Sequence, residues 1–148
     1  MKTNAQVAAA FVAGEIAQNK SLRATEWMLY SYATPIAYKD VFTKGGTRTE
    51  VVIISTQHHS PTTTRHHGHL MHALMDAGYD GCAPWPDRVE DTPDAWVTPF
   101  GIREGRSDPN APAVVWRKLT QEEREAKQGA ARKALDSILE KARKEYAR

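Results

Sequence analysis

Six histidines, three consecutive threonines and an arginine fall within Thr56 to His72, TQHHSPTTTRHHGHLMH, and no histidine lies elsewhere in the chain. Imidazole ligates transition metals and exchanges protons near neutral pH. Threonines and arginine at the start of a helix offer a different chemistry, the holding of anions. Metal ligation, acid–base catalysis and anion binding therefore compete for the same stretch.

The metal reading takes His69 and His72, spaced i and i+3, with Asp76 one turn on, as ligands for zinc or another divalent metal. It lacks the HExxH arrangement that also supplies a base, and a solvated polar helix face accounts for the same residues. Cys82 is the only cysteine, which excludes a cysteine-rich zinc site and any disulfide within the chain. No metal or other cofactor is expected, with zinc the alternative. The catalytic reading uses His58 or His66 as general base. No Gly-x-Ser-x-Gly, Walker-type loop or paired carboxylates accompany them, and Cys82 sits in Gly-Cys-Ala-Pro without a nucleophile signature. No catalytic residue is assigned.

Anion binding has the most direct physics. Ser60-Pro61 opens a helix with a hydroxyl N-cap and a proline at the first helical position. Thr62, Thr63 and Thr64 then occupy the first turn, where backbone N–H groups and the positive dipole end favour phosphate. Arg65 adds a bidentate donor and His66 a switchable one. The plainer reading is that Ser60 and the threonines only cap the helix. On a wheel of about 100° per residue, Leu70, Met71 and Leu74 point to the core. Arg65, His69, His72 and Asp76 cluster on the opposite side, and Thr63, His66 and His67 lie at the margin of the buried face, near His58 and His59.

The elements that must position this segment are legible in outline. Thr3 with Gln6 forms a capping box, and the helix behind it is expected to run to about Asn19, burying Val7, Ala8, Phe11, Val12 and Ile16. Residues 21 to 25 read as a connection. Trp27 to Tyr32 and Ile36 to Phe42 read as strands, followed by a hairpin at Gly45-Gly46 into Thr49 to Ser55, whose VVII marks a central strand. The histidine helix should stop at Gly78. Tyr79 to Pro112 holds six of the eight prolines and reads as irregular, with a short strand at Ala95 to Pro99. Ala113 to Leu119 is a further strand. Thr120 with Glu123 caps a last helix over 121–147, acidic at its start and basic at its end. The order α-β-β-β-α-β-α indicates one α+β domain over 1–148, with three helices packing an antiparallel sheet of about four strands.

Composition narrows the class. With 41% hydrophobic and 26% charged residues in 148, the chain can bury a modest core. A net charge of +2 is too mild to indicate nucleic-acid binding by itself. The run AAAFVAG near the start is short and is followed by Glu15, so it reads as a helix rather than a signal peptide. No stretch reaches the ~20 apolar residues of a membrane span. A cytoplasmic protein without membrane contact is the expectation.

Two pieces, LYSYATPIA at residues 29–37 and Ser60-Pro-Thr-Thr-Thr-Arg-His66, together resemble an uncharacterised domain of small phage and plasmid proteins with an "LYSYxTPIA … SxTTxRH" pattern. The resemblance spans residues 27–78 and touches Tyr30, Ser31, Tyr32, Thr34, Pro35, Thr62, Thr63, Arg65 and His66. Ala33 stands where the family tends to have glycine, and Pro61 and His67 are further departures from its pattern. His58-x-Ser60 also resembles one half of the two-histidine phosphoesterase signature, whose second copy is lacking here. The phage-domain resemblance supplies no activity but implies a mobile-element origin. The leading expectation is an accessory protein binding nucleic acid or a nucleotide, with Thr62 to His66 on phosphate and Tyr30 and Tyr32 as stacking surface. The alternatives are a protein-binding inhibitor or adaptor acting on a host protein, homodimeric through the last helix, and a histidine- or metal-dependent phosphoesterase.

Overall fold

The computed structural model describes residues 1–57, 60–81, 95–104 and 111–147. The chain divides into two compact units, Met1–Lys118 and Leu119–Arg148.

In the first unit, helix α1 (Asn4–Ala13) begins with the expected capping box, Thr3 Oγ1 accepting from the Gln6 amide and Gln6 Oε1 from the Thr3 amide. It ends sooner than the apolar spacing suggests. Gly14 adopts a left-handed conformation (φ 82), its amide donating to Phe11 O while that of Glu15 donates to Ala10 O. That Schellman pairing closes the helix, and Ile16, expected in the buried stripe, is 81% exposed. Val7, Ala8 and Phe11 are buried as expected.

Nine strands follow among the described residues: β1 (Ala17–Gln18), β2 (Leu22–Ala24), β3 (Met28–Ser31), β4 (Thr34–Lys44), β5 (Thr47–Ser55), β6 (Tyr79–Asp80), β7 (Ala95–Thr98), β8 (Gly101–Glu104) and β9 (Ala113–Lys118). The first six and β9 form an antiparallel sheet in the order β1-β2-β3-β4-β5-β9-β6, and β7 pairs with β8 separately. The class is α+β as expected, with more strands than four. The unforeseen ones, such as β1 and β2, are too short to show alternation, and pairing with their neighbours creates them. The stretch read as a connection is thus part of the sheet. Gly45 and Gly46, at φ 54 and 80, make the β4–β5 hairpin turn as their sequence indicates.

β5 lies between β4 and β9 and is buried on both faces. Val52 and Ile54 pack with Val7 and Phe11 of α1 and with Leu70 and Leu74 of α2 (Pro61–Asp76). Val51 and Ile53 join Phe42 and Ala113 on the other face, with Tyr38, Phe100 and Val115 against them. Within residues 79–112, the described part holds β6 at its start and the β7–β8 hairpin where sequence indicated one short strand, while 82–94 and 105–110 lie outside the described residues. No helix among the described residues is long and apolar enough to cross a membrane. The second unit consists mainly of helix α3 (Gln121–Tyr146), capped by Thr120 and Glu123 as expected.

Candidate functional site

β3 and β4 are joined by only two residues, Tyr32 and Ala33, because Ser31 pairs with Thr34. Hairpin loops this short match the strand twist when the first loop residue has positive φ, which favours glycine. Here that residue is Tyr32, at φ 55, the only non-glycine residue with positive φ among those described. Holding a tyrosine there costs on the order of 1 kcal/mol. The ring is 59% exposed, and its centroid lies 6.2 Å from that of His66 with the planes tilted by 45°.

His66 reaches this position because α2 starts where it does. Ser60 Oγ accepts from the Thr63 amide, and Pro61 fixes the first helical residue. Burial then recurs at Thr63, His66, His67, Leu70 and Leu74, the spacing of one helix face. Under Tyr32 the polar members of that face meet the sheet. Ser31 Oγ lies 2.7 Å from His66 Nδ1 and 3.2 Å from Thr63 Oγ1, which is itself 3.1 Å from Ser60 Oγ. His66 Nε2 lies 3.2 Å from Ser21 Oγ. Behind Ser21, Asn19 Nδ2 donates to Asn4 Oδ1 at 2.8 Å and to Lys2 O at 3.1 Å.

A serine hydroxyl against an imidazole is the pairing of an activated nucleophile. Here Ser31 is 2% exposed and His66 fully buried, so no substrate reaches either atom in this arrangement. The second ring nitrogen faces a hydroxyl, and either tautomer is satisfied because each serine can donate or accept. Burial, with His69 nearby, holds the His66 pKa below its ordinary value. A neutral imidazole therefore ties β3 and the turn before β2 to the first two turns of α2.

The sequence-derived site divides accordingly. Thr63 and His66 are bonded within the fold, Thr62 is half-buried, Thr64 is exposed with its hydroxyl donating to Ser60 O at 3.2 Å, and Arg65 is exposed. Tyr32 joins this group, but Tyr30 does not. One residue before Ser31 on β3, Tyr30 points to the opposite face of the sheet, where the Arg23 guanidinium lies 4.4 Å over its ring. The two tyrosines offer separate surfaces, and a single surface combining both with Thr62 to His66 does not form. Of the proposed metal set, His72 and Asp76 are exposed and His69 half-buried. Among the described residues, no group of three or more histidine, cysteine, aspartate or glutamate side chains is placed to hold a metal ion. His58, His59 and Cys82 lie outside the described residues. His67, placed at the margin from sequence, is buried at 2% exposure.

Sequence reasoning missed Asn4, Asn19 and Ser21, and reached Ser31 only through the family resemblance. No spacing signals them, since Ser21 reaches His66 only where Leu22 pairs with Ser31, and the asparagines act through Ser21. No protein-family model, no curated protein and no solved structure matches this chain.

Proposed function

We propose that this protein is a mobile-element accessory protein that binds single-stranded nucleic acid or a nucleotide at the β3–β4 turn and the start of α2. A base stacks on Tyr32, and a phosphate is taken by Arg65 with the Thr62 hydroxyl, Thr64 being held by its own bond to Ser60 O. Thr63 and His66 form the floor rather than contact the ligand. The carrying observation is Tyr32 itself: an exposed ring on a backbone conformation that glycine would occupy without strain, beside a helix start bearing Arg65. Its opposite neighbour, Tyr30, is reserved for Arg23 and has no part in the site.

The test is fluorescence anisotropy with single-stranded DNA and RNA oligomers and a labelled nucleoside triphosphate, over a salt series. Binding should weaken with salt through the Arg65 contact. Tyr32→Ala and Tyr32→Gly should each lose about 1–3 kcal/mol of binding, the worth of one stacked base. Tyr32→Gly should do so while keeping or raising thermal stability, because it relieves the positive φ. Salt-independent binding, or full affinity in Tyr32→Gly, would rule the site out.

A further inference from the structure

The second unit presents a surface that the nucleic-acid reading does not use. All 26 residues of α3 lack a buried member, yet Leu135, Ile138 and Leu139 are 56%, 65% and 47% exposed on adjoining turns. With Ala131 and Ala142 they form one stripe, spaced four, three and four along Ala131, Leu135, Ile138 and Ala142. That spacing is the seam of a helix pair, in which each large residue seats among residues of a facing helix. The occupant is therefore a helix.

Three features of the sequence select which helix. The four seam positions Ala131, Leu135, Ile138 and Ala142 read alike in both directions, small-large-large-small, about a point midway between Leu135 and Ile138, with Leu139 flanking the seam. A two-fold axis through that point sets Leu135 against Ile138 of the partner subunit and Ala131 against Ala142 of the partner subunit, the self-complementarity that a two-fold interface requires. Secondly, the charges run from Glu122, Glu123 and Glu125 at the start to Lys141, Arg143 and Lys144 near the end. Antiparallel pairing carries each acidic start toward the other's basic end and opposes the helix dipoles favourably. Parallel pairing in register would stack Arg124 on its own copy at the seam and set Lys127 beside Arg132 of the partner subunit. Thirdly, the helix carries seven basic and six acidic side chains, a balance unsuited to tracking phosphates.

We infer that α3 is a self-association helix, pairing antiparallel with α3 of a second copy about an axis between Leu135 and Ile138. The core is small, so the dimer is a concentration-dependent one that brings two copies of the first unit together without using their own surfaces.

Sedimentation equilibrium of the full chain over a micromolar to millimolar series tests this. The mass should rise from 16.5 kDa toward twice that value, and Ile138→Glu and Leu135→Glu should each hold it at the monomer mass. Both side chains are largely exposed in the single chain, so both variants should keep the wild-type unfolding midpoint of the first unit. Orientation is read on a Cys82→Ser background. An oxidised mixture of Ala131→Cys and Ala142→Cys proteins should give mixed disulfide dimers, while Ala131→Cys alone should give none. A monomer throughout, a dimer indifferent to both glutamate variants, an absence of mixed crosslinks, or efficient crosslinking of Ala131→Cys to itself would each overturn the inference.

Discussion

Helices α2 and α3 begin alike and end in opposite environments. Each has a hydroxyl N-cap bonded to the third amide of its first turn, Ser60 to Thr63 and Thr120 to Glu123. Each also carries an apolar stripe at helical spacing. α2 buries Thr63, His66, His67, Leu70 and Leu74, whereas α3 buries nothing. The contrast teaches that a stripe specifies a face and not its cover. In α2 the buried face even includes two histidines, because the sheet presents hydroxyls where His66 arrives. In α3 a more apolar stripe of leucine and isoleucine has no member buried within its own unit.

Four measurements would sharpen or break this contrast. The largest effect should come from Leu70→Ala and Leu74→Ala, each costing about 2–5 kcal/mol in denaturant unfolding, as expected for fully buried leucines. Leu135→Ala should stay within about 0.5 kcal/mol for the same transition. Equal costs at Leu70 and Leu135 would show that α3 shares the core.

Within α2 the histidines should separate in the same way. His66→Ala removes the nearer of the two partners of the buried Ser31 hydroxyl and should cost about 1–3 kcal/mol. His72→Ala, on the exposed side of the same helix, should be nearly silent. Comparable losses at both positions would contradict the division of the histidines.

The third measurement is pH dependence. The His66 pKa in the fold lies below its ordinary 6.5, first because burial disfavours the imidazolium and then because of His69. The unfolded chain therefore binds more protons between those two values. The contribution of His66 is fully present above about 6.5 and is lost as pH falls through that window toward the folded value. Unfolding midpoints measured downward from neutral pH should fall more steeply for wild type than for His66→Ala, and parallel curves would refute it.

The smallest effect should come from the two caps. Ser60→Ala should cost about 1 kcal/mol of global stability. Thr120→Ala should lower helical circular dichroism at the end of the chain and leave the main transition in place. A global loss from Thr120→Ala would mean that α3 unfolds together with the sheet.

Much of the framework could be read from the residues. Both capping boxes, the Ser60-Pro61 start, the Gly45-Gly46 hairpin and the central VVII strand depend on interactions within a few positions, and all take the expected form. The end of α1 was legible too, since Gly14 is a natural left-handed stop, but Ile16 at helical spacing argued for continuing. The candidate site was legible only in part. Arg65 and the threonines follow from the helix start, and Tyr32 from the phage-domain resemblance. Separating Tyr30 from Tyr32 required knowing that one lies in a strand and the other in a two-residue turn.

Helix starts, one hairpin turn and the doubly buried strand are written in the residues themselves, because caps, glycine pairs and β-branched runs act locally. What folding alone could settle is that His66 is a buried bridge between Ser21 and Ser31, that Tyr30 and Tyr32 face different surfaces, and that α2 buries its stripe against the sheet. Those outcomes rest on strand register and on which face meets which neighbour, and these depend on partners distant in the chain. A side chain's chemistry fixes what it can bond to, and packing fixes what stands within reach.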